Sequence, residues 1–298
     1  MLINASTLRT LNTSFSAAYQ GAFDGVKPLY TRVAQVVPSS TRSNEYGWLN
    51  QLPRIREWLG ARVVQNLSAA TYTIRNRKFE STIAVNADDI KDDNVGMYTG
   101  VFSEFGLQSA NFPDELVWAL LKAGFTTPCF DGQYFFDTDH PVIDADGVTV
   151  NSVANTDGGS GPAWFLLDTT RMIKPVIFQD REKFRLTAMD QDTDEAVFSR
   201  AEYRYGTAGR CNVGYGFWQM AWGSKQTLDA THYAAARAAL MSMKGDNGRP
   251  LGIVPNLLVT DPTNEGAARK IVVNQFDAAG ATNPWAGTAE PLAVPWLA

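Results

Sequence analysis

An α+β fold organised around one long helix is predicted by three features of this 298-residue chain. Tyr98, Phe102, Phe105, Ser109, Phe112, Leu116, Ala119 and Ala123 follow one another at steps of four and three without a slip. That spacing keeps one helix face in phase. Three β-forming runs come later, at 164–167, 176–178 and 203–222, the last with glycines at 206, 209, 214 and 216. From His232 onward helical and strand patterns alternate, so a mixed lobe follows a β-rich region.

Each element has its own local reason. Leu2, Leu8, Leu11, Phe15 and Tyr19 recur at loose helical spacing before Gly21, Gly25 and Pro28 break the pattern, which predicts an amphipathic arm over the first 30 residues. Alternating β-formers at 72–85 predict strand, and a long hairpin with Pro53 and Gly60 near its tip is the simplest arrangement of the preceding stretch. The long helix is expected over 89–123. Asp88, Asp89, Asp92 and Asp93 favour its N-terminus, Lys122 its C-terminus, and Gly124 ends it. Pro113 cannot donate to the Ser109 carbonyl, so a kink is expected there. Beyond the helix, 130–137 reads as a short aromatic strand and 144–162 as a loop rich in Gly, Asn, Ser and Asp. The last part reads as helix 233–244, turn 245–250, strand 256–260, helix 264–276 and strand 290–296.

Charge is unevenly distributed. The chain carries −5 overall, yet residues 41–78 hold seven cationic side chains (Arg42, Arg54, Arg56, Arg62, Arg75, Arg77 and Lys78) against Glu45 and Glu57. Interleaved with them are Tyr46, Trp48, Leu49, Ile55, Trp58 and Leu59. Arg mixed with aromatic residues typifies the centre of protein–protein contacts, so this stretch is expected to lie on another molecule rather than in its own core. Copies of one chain, each offering a basic arm and an acidic body, could repeat that contact. A solvated hairpin and a single-strand nucleic-acid contact are the alternatives. The pI near 5.1 argues against a protein whose main work is gripping phosphates. No run approaches the roughly 18 apolar residues of a membrane span, and the first residues lack the basic and apolar regions of a signal peptide.

No catalytic constellation emerges, and no enzyme activity, cofactor or metal is expected. Cys129 and Cys211 read as ordinary thiols of a reducing compartment. His140 and His232 are far apart, with no HExxH or CxxC pattern. Asp137, Asp139 and His140 could surround a cation, but beside Pro141 they more readily shape a turn. The Asp88 to Asp93 group lacks the ligand spacing of a calcium loop. Neither the glycines at 158–161 nor Gly214-Tyr-Gly216 has the flanking pattern of a phosphate or dinucleotide loop.

Several ordered segments together resemble one family. They are Ser39-Ser-Thr-Arg42 with Tyr46-Gly-Trp-Leu49; Asp92-Asp-Asn-Val-Gly-Met-Tyr98; Pro113-Asp-Glu-Leu116 leading into Leu120-Leu-Lys-Ala-Gly-Phe125; Asp131-Gly-Gln133 with Phe135-Phe136 and His140-Pro-Val142; Lys174-Pro175 with Phe178-Gln179; and Gly214-Tyr-Gly-Phe-Trp-Gln-Met-Ala221. The chain resembles the major head subunit, protein T, of Mu-like phages and prophages. It departs from that pattern at Val259-Thr-Asp-Pro262 and in the 144–162 segment.

What the resemblance implies is an HK97-like major capsid protein fold. Its expected parts are an N-terminal arm over 1–40, an extended loop over 41–85, a peripheral domain over 86–225 with its spine helix at 89–123, and an axial domain over 226–298. The implied function is a structural subunit that assembles into hexamers and pentamers of an icosahedral shell around double-stranded DNA. An encapsulin-like compartment is the alternative. Expected interface residues are Arg42, Tyr46, Trp48, Leu49, Arg54, Arg56, Trp58 and Arg62, while Tyr98, Phe102, Phe105, Phe112 and Leu116 are expected to pack the spine on the β-rich layer. The implied partners are copies of the chain itself, a portal, a scaffold or protease, and minor capsid or decoration proteins. DNA would be touched weakly and without sequence specificity, and no membrane is involved. The implied location is the virion, after assembly in the host cytoplasm.

Overall fold

The computed structural model describes residues 3–50, 72–92, 95–191, 193–277 and 279–298. Helix α1 (Ala5–Gly25) begins where the Asn4 side chain accepts the Thr7 amide at 2.9 Å, satisfying one of the donors a helix start leaves open. Its buried side chains, Leu8, Leu11, Phe15 and Tyr19, form one stripe. The chain continues through β1 (Ala34–Pro38), β2 (Ser43–Glu45), β3 (Thr73–Arg75), β4 (Arg77–Asn86), α2 (Ala87–Lys91) and α3 (Gly96–Lys122). Next come β5 (His140–Ile143), β6 (Val150–Val153), β7 (Thr156–Gly159), β8 (Trp164–Leu167), β9 (Val176–Met189), α4 (Glu195–Arg200), β10 (Glu202–Tyr215) and β11 (Ala221–Lys225). The remainder comprises α5 (Ala230–Met241), β12 (Lys244–Gly245), β13 (Arg249–Pro250), β14 (Leu257–Thr260), α6 (Glu265–Val272) and β15 (Glu290–Ala293).

Two sheets organise these elements. The first has the order β1-β9-β10-β4, with β1 parallel to β9 and the other pairs antiparallel. The second has the order β15-β14-β8-β11-β7. Strand β14 pairs with β8 from Leu257↔Leu167 to Thr260↔Trp164. The boundary expected at 225/226 therefore runs through a sheet, because 257–260 and 290–293 are hydrogen-bonded into the same layer as 164–167 and 221–225.

Helix α3 connects the two cores. It is 27 residues long, or roughly 40 Å at 1.5 Å per residue. The continuous helix expected over 89–123 is instead α2 and α3, and the α2 cap is the Asn86 side chain, which accepts the Asp88 amide at 2.9 Å. The buried face also departs from the stripe read in the sequence. In the first half it is Phe102, Phe105, Gly106 and Ser109; after Pro113 it becomes Asp114, Val117, Trp118 and Leu121, while Ala119 is exposed and Leu116 half-buried. At 3.6 residues per turn that is a rotation of roughly 100°. The reason is a change of partner. The first half packs with α1, Val85, Tyr203 and Tyr205, the second with the core of the other sheet around Trp164 and Leu257.

Asp114 marks the changeover. Its carboxyl is fully buried and accepts the Tyr30 amide at 2.5 Å, the Leu29 amide at 3.2 Å and the Trp118 indole at 2.9 Å. Burial pushes this carboxyl above its ordinary range, and the three donors pull against that rise. The group ties the spine to the chain segment that enters the first sheet.

Closeness of α1 to α3 depends on Gly106. A Cβ there would fall inside the contact radius of the Tyr19 carbonyl oxygen, a backbone atom that cannot step aside. We expect Gly106→Val to cost at least the about 1–3 kcal/mol typical of overpacking. Chemical denaturation would read this, and an unchanged midpoint would show that the helices separate freely.

Other segments also differ from expectation. Residues 130–137 form a turn closed by the Pro128↔Tyr134 bridge, not a strand, because Phe135 and Phe136 turn into the core and the Asp137 carboxylate accepts the Tyr134 and Thr138 amides. The loop expected at 144–162 contains β6, paired with β5, and β7, paired with β11. Backbone pairing with a neighbour supplies the order its polar side chains do not advertise. Strand β9 runs eleven residues past Phe178 as an antiparallel partner of β10.

Candidate subunit interface

The two ends of the basic, aromatic stretch meet in a narrow polar base. Strands β2 and β3 pair antiparallel as Ser43↔Arg75, Asn44↔Ile74 and Glu45↔Thr73, and the Tyr46 amide donates to the Tyr72 carbonyl at 2.8 Å. Gln179, fully buried on β9, grips this base from beneath. Its amide nitrogen donates to the Ile74 carbonyl at 3.1 Å and to Asn76 Oδ1 at 2.8 Å, while its Oε1 accepts the Tyr46 hydroxyl at 2.8 Å. Asn76 in turn donates to Ser39 Oγ and the Thr41 carbonyl, both at 2.9 Å. The Tyr72 hydroxyl accepts the Tyr215 amide at 2.9 Å. Burial pushes that hydroxyl up to about 12, although the donated amide works the other way, so it stays neutral at any physiological pH.

The interface residues expected from sequence fall into three groups. Tyr46 and Leu49 are 3% and 2% exposed and belong to the protein's own core; the expectation that they lie on another molecule is corrected, since their apolar surface is already covered. Arg42 is exposed at the base, as are Arg75, Arg77 and Lys78. Arg54, Arg56, Trp58 and Arg62, and the expected hairpin tip at Pro53 and Gly60, lie outside the described residues, as does the side chain of Trp48. Gln179, Asn76 and Tyr72 were not singled out in the sequence as anchors. A glutamine inside an otherwise apolar run, Val176-Ile-Phe-Gln179, was the available signal, because a buried amide must find partners.

Replacing Gln179 by Leu keeps the volume but removes its hydrogen bonds to the Ile74 carbonyl and Asn76 Oδ1. A loss of about 1–3 kcal/mol is expected from each buried group left unsatisfied, so the variant should unfold well before the parent on heating. A melting temperature equal to the parent's would mean that the clamp is not needed.

A second feature lies on the opposite side of the first sheet. Between β4 and α3 runs a groove of about 590 Å³ floored by Phe79, Ile83, Phe105, Phe112 and Phe184. Phe112 joins its floor, with ring centroids 4.6 Å from Phe79 and 5.6 Å from Phe184. Its rim carries Glu104 and Glu115 on α3, while the Glu80 carboxylate lies beside Thr82 on the other face of β4 and the Arg77 guanidinium sits over the Phe79 ring at 5.1 Å. Of the expected spine residues, Tyr98 donates its hydroxyl to Asp89 at 2.6 Å, Phe102 stacks on Phe15, Phe105 meets Tyr19, and Leu116 is half-buried against the second core. Strand β4 forms one edge of its sheet.

The family model for the Mu-like prophage major head subunit gpT matches residues 8–297. The chain belongs to that family. It is 40% identical to the major capsid protein of Escherichia phage Mu over 287 residues, 95% of this chain and 94% of the relative. The subunit in the procapsid of bacteriophage JBD30 superposes with a TM-score of 0.87 at 44% identity, covering 99% of this chain and all of that one. The subunit in the JBD30 capsid decorated with minor capsid protein trimers gives 0.76 at 34% identity, over 91% of each chain. This head subunit thus has the α+β, HK97-like fold of a phage major capsid protein, and these relatives favour a phage head over the encapsulin-like compartment. Among the described residues, no helix is long and apolar enough to cross a membrane.

Proposed function

We propose that this head subunit assembles with copies of itself by placing the basic, aromatic hairpin of one copy on the acidic, aromatic groove of a neighbour. The observation that carries the reading is complementarity within a single chain. Arg54, Arg56, Trp58 and Arg62 lie between β2 and β3, and Glu104 and Glu115 rim an aromatic floor between β4 and α3. Unlike charges guide approach while aromatic burial provides cohesion. Hexameric and pentameric capsomers of an icosahedral shell around double-stranded DNA follow from repeating this contact under symmetry. In that shell the N-terminal arm, the extended loop from residue 41, a peripheral unit with the spine and an axial unit near capsomer centres divide the work. The sheet shared by 156–167, 221–225, 257–260 and 290–293 argues for drawing the last boundary to include those earlier strands.

The net negative charge suits a container that touches its DNA weakly and without sequence preference. A scaffold or protease, a portal and minor capsid proteins are the partners that fit such a particle, built in the host cytoplasm and ending in the virion. Electron microscopy of the purified full-length chain tests the reading. Capsomers or closed shells are expected, and a protein that stays monomeric at high concentration would contradict it.

A further inference from the structure

The turn at 129–133 and the first residue of β5 bring a thiol, a carboxylate and an imidazole together where the shell-building role needs none of them. Cys129 Sγ is 3.0 Å from Asp131 Oδ1, and His140 Nδ1 is 2.7 Å from Asp131 Oδ2. The three candidate ligand atoms all lie within 4.8 Å of one another. We propose that Cys129, Asp131 and His140 form a binding site for one thiophilic divalent cation, zinc by preference.

The chemistry of the donors selects the ion. A thiolate, an imidazole and a carboxylate suit zinc, whereas magnesium and calcium want oxygen ligands alone. Charge balances: one thiolate and one carboxylate neutralise the divalent ion, so the buried assembly carries no net charge. On binding, the Cys129 thiol releases its proton to solvent, and the imidazole proton passes from Nδ1 to Nε2. His140 Nε2 is buried without a partner among the described residues, so the transfer gives up the Nδ1–H bond to Asp131 and leaves the new N–H unpaired, a cost the metal bonds offset.

The ligands are also held in place beforehand. Cys129 and Asp131 stand on a turn closed by the Cys129 amide donating to the Gln133 carbonyl at 2.7 Å, with Gly132 at φ +90°. A side chain at Gly132 would be strained in that left-handed conformation. His140 is fixed by its pairing with Val153 and by stacking on Trp218, ring centroids 3.9 Å apart. Tetrahedral zinc bonds of about 2.0–2.3 Å set neighbouring ligand atoms roughly 3.3–3.7 Å apart. The two hydrogen-bonded spacings, which run to different Asp131 oxygens, need to open by about half an ångström, and the Cys129 and His140 donor atoms, within 4.8 Å of each other, need to settle at about 3.5 Å. The Asp131 side chain is 11% exposed while His140 is 0%, so Asp131 marks the side from which an ion enters and a water completes the shell.

Cobalt(II) titration of the full-length, chelator-treated protein is the test. Binding of about one ion per chain, with visible bands and a thiolate-to-cobalt charge-transfer band that zinc abolishes, is expected. Cys129→Ser should lose the charge-transfer band and His140→Gln should weaken binding at least tenfold. Cys211→Ser, altering the other buried thiol, should behave as the parent. Absence of a thiolate band in the parent protein overturns the proposal whether or not any variant folds. Binding unchanged in Cys129→Ser also overturns it, since the ion would then be held elsewhere, for example at the half-buried Asp229 and His232 pair.

Discussion

Truncating Phe102 to Ala is expected to lower the unfolding free energy by about 3–5 kcal/mol, the range for removing a fully buried aromatic ring. The ring is stacked on Phe15 at 4.3 Å with an interplanar angle of 12°, and it meets the edge of Tyr205 at 5.0 Å. Its loss would open a cavity among α1, α3 and β10, three elements whose backbones are each held by other contacts and cannot collapse into the gap. Phe105→Ala should cost less, because that ring also lines the open groove and part of its volume can be refilled by solvent. Denaturant titration of both variants gives the comparison. An equal cost at the two positions would show that the groove is closed in solution.

The second large effect concerns assembly rather than folding. Replacing residues 51–71 by a short Gly-Ser turn should leave a subunit with nearly the parent melting temperature that no longer assembles. The β2 to β3 pairing, the Gln179 clamp and the buried Tyr46 and Leu49 all lie outside the excised segment, so these contacts are retained. Light scattering and calorimetry on the same sample separate the two properties. Shells of normal size from the shortened protein would remove the hairpin from the assembly contact.

Much of this architecture was legible in the residues, and the departures have definite causes. The α1 stripe of Leu8, Leu11, Phe15 and Tyr19 was read directly, because one amphipathic helix packs on one surface and its period is undisturbed. Strand β8 was found with its bounds because all four residues are apolar and buried on both faces. The second half of the spine was misread for the opposite reason. Leu116 and Ala119 continue an unbroken apolar period, but a helix that passes from one core to another changes its buried face, and the sequence does not announce the handover. The clearest local hint was Asp114 beside Pro113, a carboxylate in an apolar helix that had to be satisfied by something. Strands β6, β7 and the outer part of β9 are polar or mixed and owe their order to backbone pairing with distant partners. The hairpin's charge was visible at once, whereas the groove that complements it required Phe79, Phe112 and Phe184, from three separate elements, to be brought side by side.

The central claim is that hairpin and groove recognise each other between copies through charge and aromatic burial together. Exposed ion pairs contribute only about 0–1 kcal/mol each, but every copy in a shell repeats them, and a Debye length of about 10 Å at 0.1 M salt leaves them felt at contact range. The most direct measurement follows assembly by light scattering across a salt series for three proteins: Arg54→Glu, Arg56→Glu and Arg62→Glu together; Glu104→Lys and Glu115→Lys together; and the chain carrying all five changes. Each of the first two variants should assemble poorly, most severely at low salt, with partial recovery as salt rises. The five-fold variant, in which hairpin and groove are again opposite in charge, should regain assembly at low salt. A five-fold variant no better than the worse of the other two, or a defect that ignores salt, would show that these surfaces do not meet.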